Sequence, residues 1–282
     1  MKKRFLSIAL ILIGVAVITA CGKNEKTALD TKKEATIIRV GTSPGPYSEL
    51  FLDAVKPILE KEGYQIKETQ FTELIQADVA LTEGTIDLNV DQHTAYLNNF
   101  NENKGTQLVG ITAIPTVPAG LFPGKRSTLD EVEKGDKIGI PDDASNTARA
   151  FNLLQKAGWI KLKAGIDPVK ATKEDIEDNP KNLELVQMSS AQIPRSLADL
   201  DYAVIPGSIV YSAKLDPKDS LLSEDVLKNY ELVATVDKKN QESGWAKAVV
   251  NAYHSDEFKK YLKEHNQGNY WFIPKELQEE QK

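Results

Sequence analysis

The sequence predicts an α/β protein whose mainly parallel sheets are divided between two lobes. Three observations carry that expectation. From Ala35 to Ile111, β-branched apolar runs alternate with helix-length segments that end in glycine, the pattern of consecutive βαβ units. An apolar stretch punctuated by Pro115, Pro118 and Pro123 then breaks the alternation, which restarts at 136–141 as if in a second lobe. The length, 282 residues, suffices for two core-bearing units.

The N-terminus is an address. Lys2, Lys3 and Arg4 precede an apolar run from Phe5 to Ile18, and Thr19-Ala20-Cys21 follows. A basic start, a short apolar run and small residues describe a secretory signal over residues 1–20. The run is short for a membrane span, which needs roughly 20 apolar residues. Ile18-Thr19-Ala20-Cys21 resembles the lipobox of bacterial lipoproteins, which implies cleavage before Cys21 and lipidation of its thiol. Cys21 is the only cysteine, so no intramolecular disulfide forms. Each buried acyl CH₂ contributes about 0.8 kcal/mol, enough for several chains to hold the protein on a membrane face. Residues 21–34, polar and Lys-rich, are expected to be a flexible tether.

The body begins with a strand over 35–41, a turn at Ser43-Pro44-Gly45-Pro46, and a helix from about 49 to 61 closed by Gly63. A strand over 64–71, a helix over 73–83 closed by Gly84, and a strand over 86–89 follow. The next helix runs from Thr94 to Asn103, closed by Gly105, and a strand covers 107–111. Beyond the proline stretch come a short capped helix at 127–132, a strand at 136–141, and a helix capped by Asp143 or Ser145 that stops at Gly158. Strands at 183–187 and 201–205 flank a short helix at 191–197. Residues 231–236 are expected to cross back to the first lobe, and helices at 245–254 and 258–265 end the body. The division is therefore 35–117 with 231–282 in lobe 1, and 118–230 in lobe 2.

Two stretches carry candidate chemistry. In Asp91-Gln92-His93-Thr94-Ala95-Tyr96, polar residues gather where a strand gives way to a helix, and open α/β sheets bind ligands beyond such strand ends. In Pro141-Asp142-Asp143-Ala144-Ser145-Asn146-Thr147-Ala148-Arg149, Asn146 and Arg149 share one face of a helix's first turn, whose free amides favour an anion. An arginine there opposes the helix dipole and makes better sense facing an anionic ligand.

Several function classes are excluded or lack support. The net charge is −6, more negative still without Lys2, Lys3 and Arg4, so the basic face that nucleic acid requires is absent. No G-x-S-x-G, P-loop or G-x-G-x-x-G pattern is present, and the three histidines form no H-E-x-x-H. Asp91-x-His93 is half of a metal site at most, with no partner ligand to name. No cofactor, metal or catalytic constellation is expected; binding is favoured over chemistry.

Most of the body resembles the NlpA lipoprotein family, the methionine-binding lipoproteins of bacterial ABC importers. The carrying residues are Gly84-x-Ile86-Asp87-x-Asn89, Gln92-His93-x-x-Tyr96-Leu97, Pro141-x-Asp143-x-x-Asn146-x-x-Arg149, Leu153-Leu154-Gln155-x-Ala157-Gly158-x-Ile160-Lys161-Leu162, Asn179-Pro180-Lys181-Asn182-Leu183 and Pro194-Arg195-Ser196-Leu197. The resemblance implies a two-lobed type II periplasmic-binding-protein fold with the ligand cleft between the lobes. It implies a lipid-anchored protein on the extracytoplasmic face of the cell membrane, working with an ABC permease and ATPase. His93 and Tyr96 then fall on contact positions of lobe 1, Asn146 and Arg149 on those of lobe 2, with Arg149 set to grip a ligand carboxylate.

Other pocket positions depart from the family pattern. Asp91 stands where the family has an aromatic, Leu74 where it has tyrosine, Pro206-Gly207 where it has asparagine, and Glu231 near a further asparagine position. Losing an aromatic weakens the case for a thioether ligand, while Asp91 and Glu231 add carboxylates suited to a ligand cation. The implied ligand is methionine, another amino acid or a short peptide. The alternative is a surface lipoprotein that does not transport, an adhesin or ligand-sensing receptor on the same fold.

Overall fold

The computed structural model describes residues 35–266 and 270–278. The signal, Cys21 and the tether lie outside those residues, as does Gly268-Asn269. No described helix is long and apolar enough to cross a membrane.

In chain order the first lobe comprises β1 (Thr36–Thr42), α1 (Pro46–Leu50), a π-helical turn (Phe51–Val55), α2 (Lys56–Lys61), β2 (Tyr64–Gln70), α3 (Leu74–Glu83), β3 (Leu88–His93), α4 (Thr94–Lys104) and β4 (Leu108–Ile114). The second lobe holds β5 (Gly120–Pro123), β6 (Lys137–Pro141), α5 (Ala144–Lys156), β7 (Lys161–Leu162), β8 (Ile176–Asp178), β9 (Glu184–Met188), α6 (Ile193–Ser196), β10 (Tyr202–Ile205), α7 (Gly207–Ser212) and β11 (Leu222–Ser223). The chain then returns with β12 (Leu232–Asp237), α8 (Gly244–His254) and α9 (Asp256–His265).

Each lobe is built on a five-stranded sheet, ordered β2-β1-β3-β12-β4 in the first and β11-β5-β10-β6-β9 in the second. β1 pairs in parallel with β2 and β3, and β6 in parallel with β10 and β9. One strand runs against each sheet. β12 is antiparallel to both β3 and β4, and β5 is antiparallel to both β10 and β11. These are the strands that follow the two crossings between sheets. The expected mainly parallel arrangement therefore holds, with the crossing strands inserted in reverse.

Helices cover both faces of each sheet, which is why the central strands are apolar on both sides. On the first sheet Ile38, Val40, Leu88 and Val90 pack with Phe51, Leu59, Val249 and Phe258, while Ile86, Leu108 and Val233 pack with Leu81, Leu97 and Phe100 on the other face. β10 shows the two-residue period directly: Tyr202 and Val204 join the cluster under α5, and Ala203 and Ile205 join the one under α6. The left-handed C-caps Gly84 (φ 74°) and Gly105 (φ 65°) end α3 and α4 and turn the chain into the next strand.

One boundary matters for function. The strand expected to end at Asn89 continues through Asp91, Gln92 and His93, and β12 pairs beside Gln92 and His93. The polar end of β3 is thus rigid sheet rather than loop, with Asp91 part of the strand.

Candidate functional site

β3 and the start of α4 face the β6–α5 turn of the second lobe across a cleft of about 750 Å³. From the first lobe Ser43, Tyr47, Phe71, Leu74, Asp91, His93 and Tyr96 line it. From the second come Asn146, Arg149, Arg195 and Pro206.

His93 is the N-cap of α4. Its Nδ1 accepts from the backbone N–H of Tyr96 at 3.1 Å, so the remaining ring proton is on Nε2, which lies 3.2 Å from Asn146 Oδ1. This hydrogen bond joins the lobes. Burial, reinforced by the Arg149 charge, lowers the His93 pKa to about 3, so the ring is a neutral donor. Its edge packs on Tyr230, with ring centroids 5.3 Å apart.

Asn146 is fixed from behind. Asp143, the N-cap of α5, accepts from the Asn146 backbone N–H at 3.0 Å and from its Nδ2 at 3.0 and 3.1 Å. That orients the amide so that its oxygen faces His93. A single aspartate therefore starts the helix and sets the rotamer of a cleft residue.

Arg149 lines the cleft but is buried, 4% exposed, and its guanidinium already has a carboxylate. Its Nε donates to Glu224 Oε2 at 2.7 Å, and its Nη2 donates to Glu224 Oε1. Glu224 also accepts from the Ala119 backbone N–H at 2.7 Å, and Tyr230 stacks below the guanidinium at 5.3 Å. The expected bidentate grip on a ligand carboxylate is thus made with Glu224. Only the remaining N–H groups of Arg149 are left for the cleft.

Asp91 lines the cleft, and the Ser48 hydroxyl donates to its carboxylate at 2.9–3.0 Å; Ser48 Oγ in turn accepts from the Ser43 backbone N–H. Burial pushes Asp91 up to about 6, and the Ser43 and Ser48 hydrogen bonds hold it from rising further. One place along β3, Gln92 Nε2 donates to the buried Asp78 at 2.6 Å. The other two oxygens of that pair, Asp78 Oδ2 and Gln92 Oε1, are buried without a partner among the described residues. Burial raises Asp78 to about 7, against the opposing Gln92 hydrogen bond.

Glu231 requires a correction. It precedes β12 and is buried, but it does not line the cleft; its carboxylate accepts from Lys228 Nζ at 2.6 Å, and its backbone carbonyl accepts from Thr94 N–H. The lysine three residues earlier satisfies the charge that was expected to face a ligand. Pro206 does reach the cleft, and the backbone beyond it explains the glycine that follows: a Cβ on Gly207 would stand 2.6 Å from the Val117 carbonyl oxygen. Among the described residues no group of three His, Cys, Asp or Glu side chains gathers to hold a metal ion.

Ser48, Glu224 and Tyr230 are the residues that sequence reasoning missed. Ser48 lies 43 residues from Asp91, and Glu224 lies 75 from Arg149, in a segment with no local signature.

Two α/β lobes facing each other across a cleft lined from both sides define a two-lobed substrate-binding fold. Known proteins agree. The pattern of the family described as NlpA lipoprotein matches residues 38–273. The D-methionine-binding lipoprotein MetQ of Yersinia pestis is 33% identical over 262 residues, covering 91% of this chain and 94% of the relative. A nutrient binding protein from Burkholderia cenocepacia, solved bound to methionine, is 36% identical with a TM-score of 0.77, covering 84% of this chain and 99% of that one. A periplasmic substrate-binding protein of an ABC transporter from Coxiella burnetii is 34% identical with a TM-score of 0.78, covering 84% and 100%. The chain belongs to the NlpA lipoprotein family.

Proposed function

We propose that the protein is the lipid-anchored substrate-binding component of an ABC importer. It captures methionine, a related amino acid or a short peptide between its lobes and delivers it to the permease and ATPase on the extracytoplasmic face of the membrane. Lipidation of Cys21 supplies the anchor and residues 21–34 the tether. Residues 35–117 with 231–282 act as one lobe and 118–230 as the other.

The observation that carries this reading is the hydrogen bond between His93 and Asn146 across a cleft of about 750 Å³. A ligand closing the cleft is then held by groups from both lobes, and closure is the signal the permease reads. His93, Tyr96 and Asn146 are the proposed contacts, with Arg149 contributing its free N–H groups and Asp91 its carboxylate. The relatives' names support an amino-acid ligand, and no catalytic step is proposed.

Calorimetry against L- and D-methionine, cationic amino acids and short peptides tests the reading. Saturable binding of one ligand per chain to at least one of them is expected. Binding to none would overturn the amino-acid assignment.

A further inference from the structure

The charges in the cleft are unevenly matched. Arg149 is neutralised internally by Glu224, which is itself buried and tied to the Ala119 backbone. Asp91 has no such partner: among the described residues it forms no ion pair, and the groups that donate to it, from Ser43 and Ser48, are neutral. Glu73, Asp142 and Asp143 line the same cleft, against the exposed Arg195 alone among the described cations of its lining not already paired. Neutral donors stabilise a carboxylate but leave its charge without an opposite charge beside it.

We propose that Asp91 determines the specificity of the cleft by receiving a cationic nitrogen of the ligand, an ammonium group borne by an amino acid or short peptide. The proposal rests on the amino-acid reading above and deepens it. Ser48, on α1, donates to the carboxylate and fixes it, and Asp91 lines the cleft. The rigid strand holds Asp91 two residues from His93, so a ligand touching the inter-lobe hydrogen bond places its ammonium at Asp91. The Glu224–Arg149 pair acts in the same direction, because a ligand carboxylate meets an arginine whose fork is already taken. The cleft thus weights the cationic end of its ligand over the anionic end. A partly desolvated ion pair of this kind gives the selectivity, since a neutral analogue leaves the carboxylate unmatched.

The test separates the two ends. The full chain in detergent at pH 7, where the α-amino group of an amino-acid amide is still largely protonated, is titrated with methionine, lysine, methioninamide (ammonium, no carboxylate) and N-acetylmethionine (carboxylate, no ammonium). Methioninamide is expected to bind at least tenfold more tightly than N-acetylmethionine. Asp91→Asn, nearly isosteric and able to keep the Ser48 bond, is expected to remove that preference, and Asp91→Glu to retain part of it. If N-acetylmethionine binds as well as methioninamide, or if Asp91→Asn leaves the preference intact, the assignment of Asp91 is wrong while the amino-acid reading stands. If none of the four binds the unaltered chain, both fail.

Discussion

Replacing Asp78 with asparagine should stabilise the protein at neutral and alkaline pH. Asp78 is fully buried, and among the described residues the one hydrogen bond of its carboxyl is that donated by Gln92 to Oδ1. Asp78 Oδ2 and Gln92 Oε1 are left without donors. An asparagine amide has the shape of the carboxylate and supplies the missing donor, so Asn and Gln can pair through two hydrogen bonds. The magnitude follows from the proton. Burial lifts the Asp78 carboxyl from 3.8 to about 7, while the unfolded chain titrates near the ordinary value. Between those two values the folded state holds a proton that the unfolded state has lost, so stability falls as pH rises through the window and is level above it. At about 1.4 kcal/mol per pKa unit, the ionised form costs the fold up to ~4 kcal/mol at pH 8. For a body of this size 1 kcal/mol moves Tm by roughly 2–4 °C. Calorimetric melting of the variant and the parent at pH 5 and pH 8 is the assay. The gain from Asp78→Asn should be several degrees larger at pH 8 than at pH 5. A gain equal at both pH values, or a loss at pH 8, would refute a buried carboxyl that ionises within the fold.

Other consequences follow from the same geometry. Nitrogen-15 NMR of His93 should show a neutral ring protonated on Nε2 at pH 5.5, because burial and Arg149 hold its pKa near 3; an imidazolium signal would contradict the tautomer assignment. Glu224→Ala strands the buried Arg149 charge and should cost about 3–5 kcal/mol of stability, read by chemical denaturation; an unchanged midpoint would mean that the pair does not neutralise Arg149. Gly207→Ala places a methyl against the Val117 backbone and should lower stability by about 1–3 kcal/mol, whereas Gly244→Ala, with open space around it, should not.

Much of the fold is legible in the sequence because the elements are locally signalled. Glycines at the ends of α3 and α4, the Asp143 cap and the β-branched runs each specify their element from a few neighbouring residues. The prolines of 115–123 likewise mark the first crossing. What is not legible depends on distant partners. The reversed insertion of β12 and β5 is a choice among pairings that share the same local pattern. β3 reads as ending at Asn89 because Asp91 and Gln92 are polar; Ser48 and Asp78 make them tolerable inside a sheet. The two-residue strands β7 and β11 are too short to have a period. At the site, the helical face shared by Asn146 and Arg149 is visible from their spacing, and so is the strand-to-helix turn at His93. The occupation of Arg149 by Glu224 is not, nor is the burial of Glu231 against Lys228, because a charge in a sequence carries no sign of what neutralises it.

On the proposed function, one ligand is held between the lobes through the His93–Asn146 contact. A calorimetric titration of the unaltered chain beside His93→Ala, with the tightest-binding amino acid or short peptide, tests it most directly. One site per chain and at least a tenfold loss of affinity in the variant are expected, because the α4 cap, the inter-lobe hydrogen bond and a cleft wall go together. Equal affinity in the two proteins would contradict it.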